Sequence, residues 1–176
     1  MKKFFSVLMF LALLLPLSSC DNDPADFPIY DFSPVEFYIA ISDGQGNQLL
    51  APEYAGNIVG SAITISEGSK VYEVDWTAHD VQSRYYFPRF YGAQYRPVIK
   101  WDGHQHYESD EWRIHFGELD GGDDYDRTFK VTVQDKSFEL RVTNSLTWKK
   151  DKPIIDRHFY LDGNEQSDSF FDLVLE

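Results

Sequence analysis

The chain has 176 residues, with 29 acidic side chains against 16 basic ones, and a formal net charge of −13. A surface this acidic repels nucleic acid, and nucleic-acid binding is excluded. A single cysteine leaves no internal disulfide. Abundant rings, 16% of the chain, with both methionines inside the first nine positions, favour a rigid β core over a helical bundle.

Lys2 and Lys3 precede an apolar run from Phe4 to Leu15 that only Ser6 interrupts, and Pro16-Leu17-Ser18-Ser19-Cys20 follows. This is the order of a secretory signal. The run is shorter than the about 20 apolar residues that a membrane-spanning helix needs. Leu17-Ser18-Ser19-Cys20 resembles the lipobox of bacterial lipoproteins. In that family the cysteine thiol takes a diacylglycerol, a peptidase cuts before it, and the new amino group is acylated. The resemblance implies removal of residues 1–19, lipidation of Cys20 with acyl chains such as palmitate, and a membrane as partner. One acyl chain anchors marginally and two or more anchor stably. The alternative is an ordinary secretory signal with an incidental cysteine. Loss of the signal's two lysines takes the charge from −13 to −15.

Residues 20–33 read as the lipidated cysteine and a flexible acidic tether, because Asp21 to Ser33 holds four aspartates and two prolines. Residues 34–176 read as one domain. Val35, Phe37, Ile39 and Ile41 alternate with Glu36, Tyr38, Ala40 and Ser42, which predicts a strand with one apolar face. Asp43 to Asn47 predicts a turn, and Gln48 to Pro52 a short apolar stretch. Ala62–Ser66 and Val71–Trp76 predict a hairpin through Glu67-Gly68-Ser69-Lys70. Trp76 to Ser83 has room for a helical turn. Arg84–Phe90 contains Pro88 and reads as an edge strand or irregular chain. Pro97–Trp101 and Gln105–Glu108 flank the turn dipeptide Asp102-Gly103, and Trp112–Leu119 alternates again. Asp120 to Arg127 predicts a loop. Thr128–Val133 and Ser137–Thr143 predict a hairpin, and Leu146–Lys149, His158–Leu161 and Phe170–Leu175 complete the strands. Roughly nine or ten short strands without helical periodicity predict an all-β fold: an antiparallel β-sandwich, immunoglobulin-like or related, with a closed barrel as the alternative.

Several constellations bear on chemistry. Tyr85, Tyr86, Tyr91 and Tyr95 belong to a ring-rich stretch, and exposed rings stack on the C–H faces of sugars. Alternate rings on a strand would instead point into a core. His104 and His106 would share a strand face, with Glu108 on that face and His115 close in sequence, as a zinc site requires. Their place beside a turn favours plain surface histidines. Asp120, Asp123, Asp124 and Asp126 form a carboxylate-dense loop of the kind calcium takes, without the EF-hand spacing. A solvated acidic loop is the favoured reading there. Glu108, Asp110, Glu111 and Glu118 offer carboxylate pairs, but no motif singles out a pair for glycoside hydrolysis. No nucleophile motif and no phosphate cradle is present, so the sequence predicts a protein that is not an enzyme and needs no cofactor beyond the lipid.

Asp31-Phe32-Ser33-Pro34-Val35, Gly46-Asn47, Leu49-Leu50-Ala51-Pro52, Gly56-Asn57-Ile58 and Lys70-Val71-Tyr72, with Phe159-Tyr160-Leu161-Asp162-Gly163 near the end, resemble a group of small Bacteroidetes lipoproteins. The resemblance implies a β-sandwich on a lipid anchor. Some of that group carry a W-G-D-G-like hairpin where this chain has Val133-Gln134-Asp135-Lys136-Ser137. Asp21, Asn22, Asp23 and Asp26 resemble the surface-export signal of Bacteroidetes, whereas in enterobacteria an aspartate after the cysteine favours the inner membrane. The expectation is an outer-membrane lipoprotein that faces outward and binds a glycan or an envelope protein. The alternative is a structural accessory of an outer-membrane complex, with a small carboxylate-dependent hydrolase third.

Overall fold

The computed structural model describes residues 30–77 and 92–176. The chain divides at Asp31, and the unit from Phe32 to Glu176 carries the fold. It is all-β. Ten strands follow one another: β1 (Val35–Asp43), β2 (Ile63–Glu67), β3 (Lys70–Asp75), β4 (Ala93–Trp101), β5 (His106–Leu119), β6 (Tyr125–Val133), β7 (Lys136–Lys149), β8 (Lys152–Leu161), β9 (Asn164–Gln166) and β10 (Phe170–Leu175). They form one sheet in the order β10-β1-β5-β4-β3-β2-β6-β7-β8-β9.

The sheet folds over so that its two halves face each other. Phe37 on β1 meets Phe129 on β6 at 5.3 Å and Phe159 on β8 at 6.3 Å, and Phe116 on β5 meets Phe129 edge-on at 5.0 Å. Edge-to-face rings at these distances add to the area they bury. Ile39, Ile41, Ile65, Val131, Leu140, Val142, Phe171 and Leu173 complete a fully buried core. Each comes from the apolar phase of its strand, where period-2 alternation sends one side inward.

The all-β, mostly antiparallel sandwich expected from the sequence forms, with its two halves joined in one sheet. The halves stay hydrogen-bonded through β3 and β4, which pair in parallel over only Val74↔Ala93 and Asp75↔Gln94. The last strand, β10, lies parallel to β1 over six residues. Strands also run longer than the sequence pattern suggests. Gln105–Glu108 and Trp112–Leu119 fuse into β5, and Ser137–Thr143 and Leu146–Lys149 fuse into β7. In β5 Asp110 and Glu111 read as a break because they are exposed beyond the core, and in β7 the break is Asn144, a buried polar residue in the inward phase. Gln48–Pro52 forms no strand. Its Leu50 is fully buried and closes one end of the sandwich. Pro97 is tolerated inside β4 because β3 leaves β4 after Gln94, so the strand is an edge there with an irregularity at Pro97–Ile99. Arg84–Phe90, and all but the first two residues of Trp76–Ser83, lie outside the described residues.

Candidate functional site

The outer face of the β10-β1-β5-β4 half carries a groove of about 390 Å³. Strand register builds it. Phe170 pairs with Tyr38, Tyr38 with His115, and His115 with Gln94, so four side chains line up across four strands. Arg113 and Arg96 form the next cross-strand pair. Directly opposed residues share a face, and here that face is the one turned away from the core.

The rings are ordered by mutual contact. Tyr38 stacks on Phe170 at 4.7 Å and 17°, and His115 stands edge-on to Tyr38 at 4.8 Å. The Arg113 guanidinium lies 4.9 Å over the Phe170 ring. Tyr38 donates its hydroxyl hydrogen to Glu36 Oε2 at 2.6 Å, and Arg96 donates to Gln94 Oε1. Glu118 reaches the groove through a bulge. β1 advances two residues from Val35 to Phe37 while β5 covers three, Leu119 to Phe116. Gly117 absorbs the extra residue at φ +83°. Only glycine takes that conformation cheaply. Strict alternation from Phe116 would have aimed Glu118 into the core; the bulge turns it to the groove wall.

Two polar atoms of groove-lining residues, His115 Nε2 and Arg96 Nε, are buried from solvent and have no hydrogen-bond partner. Burial, with help from the Arg96 and Arg113 charges, pushes the His115 pKa down to about 4, so the imidazole is neutral at pH 7. The groove lining holds one guanidinium, Arg96, and two carboxylates, Glu36 and Glu118. A smaller depression of about 310 Å³, beside β2 and β3, holds one charged side chain, Glu73.

Of the residues singled out in the sequence, His115 and Glu118 line this groove. Cys20, Tyr85, Tyr86 and Tyr91 lie outside the described residues. Tyr95 is a core residue and not a binding-surface ring. It is 4% exposed, stacks on Trp112 at 4.5 Å, and donates its hydroxyl to Leu50 O at 2.8 Å. Burial pushes its pKa up to about 12. It occupies the inward phase of β4, which starts four residues earlier than the sequence pattern implies.

His104 sits in the turn before β5, and only His106 is on the strand, with its ring against Trp101 at 4.9 Å. The two therefore do not share a strand face. In the acidic loop, Asp120 Oδ1 accepts from Gly122 N, Asp124 Oδ1 accepts from Leu146 N, and Asp126 makes a bidentate pair with Arg141. Asp123 enters through its backbone carbonyl, which accepts from Asn144. The loop is thereby tied to β7. Among the described residues no three His, Cys, Asp or Glu side chains gather where they could hold a metal ion.

Sequence reasoning missed Tyr38 and Phe170, although both had a signal. Tyr38 is the one large ring in the polar phase of β1. Phe170-Phe171 puts two rings side by side on a strand, so one of them must face outward. No family model matches the chain, and neither a curated protein nor a solved structure matches it.

Proposed function

We propose that this chain is a lipid-anchored, non-catalytic binding protein of the bacterial envelope whose ligand is a neutral glycan, held in the Tyr38–Phe170 groove. The observation that carries the reading is the stacked Tyr38–Phe170 pair in one groove with the polar side chains of Gln94, Arg96, His115 and Glu118. Sugars offer C–H faces to rings and hydroxyls to guanidinium, imidazole and carboxylate groups. Two lining carboxylates, Glu36 and Glu118, against the one guanidinium of Arg96 favour an uncharged ligand over a phosphate or a polyanion.

The anchor rests on the resemblance of Leu17–Cys20 to the lipobox, and the outer-membrane setting on the likeness to small Bacteroidetes lipoproteins. The test of the ligand is a thermal-shift screen of the chain from Asp21 onward against a glycan panel. A sugar at about 100 times its Kd adds roughly 2.7 kcal/mol, a shift of several degrees. Phe170→Ser should abolish that shift while the unliganded melting temperature changes little. No shift with any glycan, or a shift that Phe170→Ser leaves intact, would remove the groove as a sugar site. For the anchor, Cys20→Ala should abolish palmitate labelling, and persistent labelling would refute it.

A further inference from the structure

β7 and β8 run well past the core. The last residue of β7 tied to the body of the fold is Leu146, whose N–H donates to Asp124 Oδ1, and the hairpin continues three residue pairs beyond Leu146↔Ile155 to Lys149↔Lys152. That is an arm of about 10 Å. Its sides are apolar: Trp148 is 56% exposed, Ile154 45% and Ile155 41%. Its tip is basic, with Lys149, Lys150 and Lys152 within four residues of a chain whose net charge is −13. Lys150 and Asp151 form the two-residue turn at φ +50° and +61°, positions that Asn and Gly fill at far lower cost.

The tether enters the fold at the same end. The Ser33 carbonyl and the Phe32 ring press against Gly121 and Gly122, and Gly121 is joined to both Asn144 and Arg157 at the root of the arm. The 13 residues from Asp21 to Ser33 reach at most about 45 Å, so an anchor on Cys20 holds this end of the domain near the bilayer. Tryptophan flanked by lysines is the composition of membrane–water interfaces, where the ring sits at headgroup level and the ammonium groups meet lipid phosphates.

We infer that the β7–β8 tip is a membrane-contact element: Trp148, Ile154 and Ile155 enter the headgroup region and the three lysines bind lipid phosphates. The inference rests on the anchoring at Cys20 proposed above. A basic tip lets an otherwise acidic domain meet an anionic surface with this end alone, and it leaves the β10-β1-β5-β4 groove on the flank.

The test is tryptophan fluorescence of the full lipidated chain in phosphatidylethanolamine–phosphatidylglycerol vesicles with brominated acyl chains. Bromolipid should quench part of the emission. Trp148→Phe should remove that quenched part and leave the emission of the other tryptophans. Lys149→Glu with Lys150→Glu and Lys152→Glu should also abolish it. Quenching that Trp148→Phe does not change, or no quenching at all, overturns the inference. Self-association that depends on concentration and is lost with Trp148→Phe, in place of quenching, assigns the tip to a second copy and overturns it too. Palmitate labelling of the same samples separates the two claims. Labelled protein without quenching retains the anchor and loses the contact. Unlabelled protein whose Trp148 is still quenched loses the anchor and keeps the contact.

Discussion

Arg157 donates through Nε to Asn144 Oδ1 at 2.8 Å, and both side chains reach on to the same acceptor, the Gly121 carbonyl, at 3.2 Å each. Asn144 also donates to Asp123 O at 2.6 Å. A buried asparagine thus has both Nδ2 hydrogens and its oxygen engaged, and it closes the end of the sandwich opposite Leu50. Asn144→Ala is expected to strip the Asp123 carbonyl and Arg157 Nε of this partner and to leave the Gly121 carbonyl with Arg157 alone, at a cost of about 2–3 kcal/mol. For a domain of this size that is a fall of roughly 4–12 °C in melting temperature. A calorimetric shift under 2 °C would show that the plug is incidental.

Glu67 and Arg127 join the turn between β2 and β3 to β6. The contact is bidentate, with Arg127 Nε donating to Glu67 Oε1 at 2.6 Å, and the guanidinium also lies 5.1 Å over the Phe129 ring. The Arg127 hydrogen bond holds the Glu67 pKa below its ordinary value of 4.5. A depressed carboxylate stabilises the fold above its unfolded pKa, and that contribution fades as pH falls through the folded one. Glu67→Gln should therefore cost about 1 kcal/mol at pH 7 and progressively less below about pH 4. Urea titrations of both proteins at pH 7 and pH 3 measure this, and an equal loss at the two pH values would refute it.

His115 and His158 should titrate on opposite sides of 6.5. Burial drives His115 down to about 4. His158 is exposed between Glu165 and Asp156, at 2.5 and 2.9 Å, and these carboxylates raise its pKa. For His115 the unfolded chain binds the proton more readily, so its contribution is complete above pH 6.5 and is lost as pH falls from there toward 4. Between pH 6.5 and 5 the loss is about 2 kcal/mol at most. His115→Phe should flatten that part of the stability profile. NMR titration of the imidazole resonances gives both midpoints, and His115 titrating near 6.5 would refute its burial.

Much of the fold was legible because alternation is a local signal. Val35–Ser42, the Ala62–Trp76 hairpin and the turn at Gln134 are all where period-2 patterning and turn chemistry put them. What was not legible depends on which strands become neighbours. Phe170 reads as one of two adjacent rings, and nothing local says that β10 lies parallel to β1 and sets that ring beside Tyr38. Glu118 reads as an ordinary strand carboxylate until the Gly117 bulge turns it. The acidic loop, conversely, looks like a cation site in sequence because its partners, Leu146 N, Asn144 and Arg141, come from β7. The candidate site was hidden for the same reason: its four-strand row exists only in the assembled register.

Tyr95 decides between a ring that packs and a ring that binds. It is clasped between Trp112 at 4.5 Å and Trp76 at 5.3 Å, and its hydroxyl ties β4 to the Leu50 loop. Tyr95→Phe removes one hydrogen bond and leaves the Leu50 carbonyl unmet, which should cost about 1–2 kcal/mol. Tyr95→Ala also opens a cavity beside two indoles and should cost about 3–5 kcal/mol. Neither change touches the groove, so glycan affinity of the folded Tyr95→Phe protein should match that of the parent chain within about twofold, well under the tenfold that 1.4 kcal/mol represents. Guanidinium melts and ligand titrations on the same preparations measure the two effects separately. A stable Tyr95→Phe protein with affinity reduced tenfold or more would return Tyr95 to the binding surface and displace the Tyr38–Phe170 groove.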